Sequence, residues 1–252
     1  MPVGVRCRSL PLYIRVFLPH ALMPDTASLR RRLPPQERKR QILEAAVDFF
    51  AEHGFEADTR RLADRLGVSH SLIFRYFRSK SALVEAVFRR VFLARWNPEW
   101  ENILRDRAHP LATRLARFYR AYLDVVDDPR WIRIVLRASL DGRDLTRRYI
   151  TRYLGPLLAV IAAELRQHAG LPARAPTAAD VEVAWALHSA VIYALLRKHV
   201  HRLPPAVAED RLLALLIPCF LEGAAAALHQ QGPQPSAKSS TKTACAPAAA
   251  SD

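Results

Sequence analysis

The sequence predicts an all-α protein: a small N-terminal three-helix domain of the helix-turn-helix kind, followed by a larger helical domain. Three observations carry this prediction. Apolar residues recur at three-and-four spacing from Arg38 almost to the C-terminal end, and no alternating strand pattern persists for more than a few residues. A Gly-Val-Ser step at 67–69 separates two short amphipathic segments. The 252 residues leave room for a second, larger unit behind the first.

Residues 1–34 are expected to be a disordered extension. The stretch 1–22 has no helical or strand period and weakly imitates a signal peptide, but Arg15 interrupts its apolar part and no small-x-small cleavage site follows. Met23 would open a chain of ordinary layout, which makes residues 1–22 dispensable on this reading. The DNA-binding domain is placed at 35–80. Ile42, Ala46, Phe49 and Phe50 form one helical stripe, which Gly54 stops. Asp58 or Thr59 can cap the next helix, whose Leu62, Ala63 and Leu66 face the first. Gly67 turns the chain, Val68 plugs the turn and Ser69 caps a helix anchored by Ile73 and Phe77. His70, Ser71, Leu72, Arg75 and Tyr76 are left pointing outward, where they could enter a major groove. Lys80 opens the following helix, an end that favours anions, so a cation there suggests a phosphate sharing the site.

This stretch resembles the DNA-binding domain of the TetR family of bacterial transcriptional regulators. The resemblance lies in ILEAA (42–46), FFAEHGF (49–55), LADRLGVS (62–69) and IFRYFRSKSAL (73–83), about one fifth of the chain. It departs at Phe74, where the family often has a tyrosine whose hydroxyl meets a phosphate, and at Ser71, where glycine is common. The resemblance implies a backbone-contacting lysine at Lys80, a dimer joined through the last two helices as a four-helix bundle, and a population shift in which ligand moves the linking helix and the two recognition helices lose their groove-matched separation. The expected DNA contacts are Thr59, Arg60, Ser69, His70, Ser71, Leu72, Arg75, Tyr76 and Lys80.

The effector-binding and dimerisation domain is placed at 81–229. One helix is expected from about Ser81 to Arg95 or beyond Trp100, linking the domains. Pro110 opens the next, with Leu111, Leu115, Phe118, Tyr119 and Tyr122 inward; Pro129 opens another, with Trp131, Ile132, Val135 and Leu136, ending at Asp141-Gly142. A segment from Asp144 to His168 is kinked or broken at Gly155-Pro156, and 170–176 is a loop. Thr177 and Asp180 form a capping box for a helix to about His199, and the last helix runs from Val207 to Leu228. Both late helices are apolar on more than one side. Pairing across a two-fold axis would cover them, with Val191 and Ala225 on the joined face. Residues 230–252, rich in Pro, Ala, Ser, Thr and Lys, are expected to be a disordered tail.

The net charge of +14 favours a polyanionic partner, double-stranded DNA, without locating the contact, because the excess is shared between residues 1–90 and the rest. Three scattered cysteines, with no C-x-x-C, point to no zinc site or redox pair and fit a reducing cytoplasm. No membrane span is expected, since the apolar run Leu212–Leu221 is short and holds Pro218. Glycine-rich phosphate loops, G-x-S-x-G and H-E-x-x-H are absent, so neither an enzyme, a cofactor nor a metal is expected. Trp100, Phe118, Tyr122, Trp131, Tyr153, Trp185 and His188 could line a ligand pocket, with the His188 ring orienting the ligand. The expectation is a cytoplasmic repressor released from its operator by a small apolar or aromatic effector. The alternative is an architectural DNA-binding protein without an effector.

Overall fold

A computed structural model describes residues 33–141 and 144–230; the expectations for most of the N-terminal extension, for the tail and for Gly142 lie outside the described residues. Among the described residues all regular structure is helical. Four helices make the small unit: α1 (Pro35–His53), α2 (Thr59–Leu66), α3 (His70–Tyr76) and α4 (Lys80–Phe88). The apolar stripe of α1 is fully buried at Ile42, Ala46, Phe49 and Phe50, against Phe55, Leu62 and Ile73. Gly54 ends α1 at φ 79°, where a side chain would be strained and a Cβ would meet Asp141 Oδ2 at 3.3 Å. Of the two candidate caps for α2, Asp58 serves, accepting from the Arg60 amide at 2.9 Å.

The larger unit comprises α5 (Glu99–Arg105), α6 (Leu111–Val126), α7 (Pro129–Leu140), α8 (Leu145–Tyr149), α9 (Gly155–His168), α10 (Ala178–His199) and α11 (Glu209–Gln230). The expected single linking helix is in two pieces. α4 continues through a π-helical turn, Arg89–Leu93, and the chain then bends at Asn97-Pro98, because proline disfavours helix in the residue before it. Asn97 Oδ1 accepts from the Glu99 amide at 2.9 Å and starts α5. The expected kink at Gly155-Pro156 takes the form of a second π turn, Ile150–Leu154. Pro156 has no N–H to offer the preceding turn, and the wider turn lets the Gly155 amide reach Ile150 O instead. A Cβ on Gly155 would lie 3.1 Å from that oxygen.

α9 runs through the middle of this unit, with Leu158, Ile161 and Leu165 buried, and packs against α5, α10 and α11. α10 begins with the expected capping box, Thr177 with Asp180. Pro218 does not interrupt α11, which runs unbroken for 22 residues. By length and composition alone α10 and α11 could each cross a membrane, contrary to the sequence expectation, yet both pack against the other helices of this unit. Their outer sides remain exposed, with Tyr193, Leu215, Pro218, Cys219, Ala226 and Ala227 on the surface. Val191, expected on that surface, faces the core instead and is buried.

Candidate functional site

The Gly67 turn sets α3 across α2. Gly67 is left-handed (φ 62°, ψ 34°), and its amide and that of Val68 return to Ala63 O at the end of α2. Ser69 Oγ then accepts from the Leu72 amide at 3.3 Å and starts α3, while Ile73 and Phe77 pin it to the core. Ser71 and Arg75 stand exposed on α3, with Arg60 and Arg61 exposed on α2 and Arg78 just beyond. Leu72, Tyr76 and Lys80 are half-buried, and Tyr76 packs partly against the core. Lys80 occupies the first turn of α4, behind the Ser79 cap that accepts from the Ala82 amide at 3.1 Å.

One expected contact is corrected. Thr59 is buried, and its hydroxyl lies 2.9 Å from His70 Nε2. His70 is half-buried like Leu72, Tyr76 and Lys80, with its ring edge-on to Phe74, and its bond to Thr59 ties α3 to α2.

Some arginines in and beside the small unit are already held by its carboxylates. Arg65 binds Glu52 at 2.6 Å, Arg90 binds Glu44 at 2.5 Å and Arg148 binds Glu85 at 2.9 Å. Among the described residues, Arg60, Arg61, Arg75, Arg78 and Lys80 have no carboxylate partner. Other exposed arginines, among them Arg40, Arg133, Arg152, Arg202 and Arg211, also have no carboxylate partner among the described residues, so what sets these five apart is their place on and beside α2 and α3.

A second feature lies in the larger unit. A cavity of about 550 Å³ opens between α7, α8 and α10. Tyr122, Trp131, Trp185 and His188 line it, as expected. Trp100 and Phe118 do not. They are fully buried behind it, with the Trp100 ring 5.2 Å from that of Tyr122, and they serve as its backing. Tyr153 lines a separate, smaller cavity with Phe88 and Leu93. The intervening π turn holds an extra residue and so offsets Tyr153 from the face that Tyr149 presents. Sequence reasoning left Val135, Leu136, Thr146 and Ile150 out of the pocket set. The apolar spacing of α7 was the available signal for the first two.

The cavity lining contains no Lys, Arg, Asp or Glu. His188 is buried and makes no hydrogen bond within the protein, its Nδ1 being sealed from solvent without a partner. Burial alone pushes its imidazole down to about 4, so the ring is neutral near pH 7. The Tyr122 and Tyr149 hydroxyls lie 3.2 Å apart. Burial holds Tyr122 well above the usual tyrosine range and pushes Tyr149 up to about 12, so both keep their protons.

Residues 42–87 match the family model for bacterial regulatory proteins of the tetR family. The chain is 38% identical over 129 residues to the transcriptional repressor AcnR of Corynebacterium diphtheriae, a match covering 47% of this chain and 67% of that one. The chain belongs to the TetR family. It is also 34% identical over 123 residues to the transcriptional repressor Rv3405c of Mycobacterium tuberculosis, across 46% of this chain and 55% of the relative. With Rv1474c of the same organism it shares 47% identity over 53 residues, only 28% of that protein. The match to these two thus spans about half of the relative's length or less. A TetR-family regulator from Streptomyces coelicolor has the same fold at a TM-score of 0.51 and 20% identity, over 78% of this chain and 85% of its own. A structure from Pseudomonas aeruginosa PAO1 matches at 0.56 and 24%, over 79% and 95%.

In this TetR-family chain one helix joins the two features. α7 turns Trp131, Ile132, Val135 and Leu136 to the cavity, and α1 packs against it. Arg130 reaches Asp48 at 3.7 Å, the Arg137 guanidinium donates to Glu52 O at 3.4 Å, and Asp141 Oδ2 accepts from the Phe55 amide at 2.8 Å. α8 adds the bidentate Arg148–Glu85 pair to α4. A change in the cavity wall therefore has direct polar links to both ends of the small unit.

Proposed function

We propose that the protein is a homodimeric, sequence-specific DNA-binding repressor, acting in the cytoplasm and released from its operator by a small apolar or aromatic molecule in the α7–α8–α10 cavity. One observation carries this reading: α7 both lines the cavity and packs against α1 of the helix-turn-helix unit, so ligand and DNA act on one connected body. AcnR and Rv3405c, the relatives compared above, are named as repressors, which supports the sign of regulation. The mechanism is a population shift. Ligand favours one seating of α7 and α8, and Asp141, Arg130 and Arg148 carry that seating to α1 and α4, changing the separation of the two α3 helices in a dimer.

The test begins with an operator selected from a random-sequence pool. Arg75→Ala is expected to weaken operator binding by about 1–3 kcal/mol and to relax specificity at the base step it meets. Lys80→Ala is expected to weaken binding on all sequences alike and to lower the salt slope by about one. Both variants should melt like the parent. Operator and random DNA bound with equal affinity would favour the architectural alternative.

A further inference from the structure

The polar groups on the cavity wall are few and close together. Tyr122 and Tyr149 share one hydrogen between their hydroxyls, and neither makes another hydrogen bond within the protein, so one O–H is left over. The His188 ring lies 5.5 Å from the Tyr122 ring, centroid to centroid. A neutral imidazole has one N–H and one bare nitrogen, and here neither meets a protein partner. A buried polar group left in this state is costly, and in folded proteins such groups are generally satisfied. The rest of the wall is mostly aliphatic or aromatic, including Trp131, Ile132, Val135, Leu136 and Ile150; of its other hydroxyls, that of Thr146 already donates to Val135 O and those of Ser189 and Tyr193 belong to exposed residues.

These groups select by chemistry. A carboxylate would enter without a cation to meet it, and an ammonium without an anion; either would be desolvated uncompensated. A pure hydrocarbon would leave the spare O–H and the imidazole unsatisfied. A hydroxyl can do both jobs at once, because it is donor and acceptor together.

We propose that the cavity takes an uncharged, largely apolar molecule bearing one hydroxyl, which accepts from the spare O–H of the Tyr122–Tyr149 pair and donates to His188 Nε2, the ring nitrogen that is not sealed off. This rests on the effector reading above and narrows it to a ligand class.

Equilibrium dialysis of the full chain at pH 7 against naphthalene, 2-naphthol and 2-naphthoate tests it, since the three share one apolar body. 2-Naphthol should bind about tenfold tighter than naphthalene, as expected for satisfying a buried polar group, and 2-naphthoate weakest. His188→Leu should erase the naphthol preference while leaving naphthalene affinity within about twofold, because volume is nearly kept. Should that variant fail to fold, the double change Tyr122→Phe with Tyr149→Phe, which removes both hydroxyls and so the spare O–H, carries the same comparison. Equal binding of naphthol and naphthalene, a preference for naphthoate, or a naphthol preference that survives the variants overturns the hydroxyl class and leaves an apolar effector site standing. Failure of all three to bind removes the cavity as an effector site, and the ligand class with it.

Discussion

Arginine in place of Leu215 is expected to convert the protein to a monomer and to abolish tight operator binding. The argument begins with two helices of 22 residues each that are more apolar than their surroundings allow. In the most apolar 18-residue windows of α10 and α11, only 33% and 28% of the residues are buried within one chain. Leu215, 44% exposed, stands on the outer side of α11 with Pro218, Cys219 and Ala226. A largely apolar exposed face, here broken by Glu222, fits an interaction site, and a two-fold pairing of identical faces is the commonest solution. A guanidinium at its centre would be desolvated without a partner. Loss of the dimer leaves one recognition helix for one half-site, and linked binding of two half-sites is worth a factor of roughly 10²–10⁴. Sedimentation equilibrium gives the mass and a gel-shift titration the affinity. A variant that stays dimeric and keeps its operator affinity would remove this face from the interface. Val191→Arg, which the sequence alone suggests, cannot serve, because Val191 lies in the core and the change would damage folding.

The helix-turn-helix was legible in the sequence because its determinants are local. A cap, a left-handed glycine and an apolar stripe each act within a few residues of one another, and Asp58, Gly67, Ser69 and Ile73 do what their spacing suggests. The DNA-facing set was only partly legible. Arg65 and Arg60 are five residues apart on one short helix, yet Arg65 is held by Glu52 from α1, a pairing fixed by tertiary approach across 13 residues. Thr59 and His70 find each other the same way. The cavity was least legible. Its wall joins the neighbouring α7 and α8 to Tyr122 of α6 and to α10, some thirty residues further on, and an aromatic residue on an apolar face can line such a space or back it. Trp100 backs it while Trp131 lines it, and nothing in their neighbours distinguishes the two. At Tyr153 the misplacement came from the π turn, which has no distinctive composition beyond the Gly155-Pro156 that follows.

The other large effect concerns stability: Glu164→Ala is expected to cost about 3–5 kcal/mol, because it leaves a buried arginine without its counter-charge. The Glu164 carboxylate on α9 is 1% exposed and meets the Arg114 guanidinium of α6 at 2.7 Å and that of Arg107 at 2.8 Å. Arg114 is itself 7% exposed and otherwise donates only to the carbonyls of Leu104 and His109. Arg107, more than half exposed, can turn to water; Arg114 cannot. Most of the loss therefore reflects the uncompensated guanidinium. Accordingly the double change Glu164→Leu with Arg114→Met, which fills similar volume with apolar groups, should recover most of the stability. The same cluster sets a pH dependence. Burial raises the Glu164 carboxyl, but the two arginines outweigh it and hold it below its ordinary 4.5. A carboxyl depressed on folding stabilises the protein above its unfolded value, and this contribution is lost as pH falls through the lower folded value. The parent should thus lose stability in urea titrations below about pH 4.5, and the double variant should lose less over the same range. Single and double variants of equal stability at pH 7, or a double variant as acid-sensitive as the parent, would show that the cluster is held by something other than this charge balance.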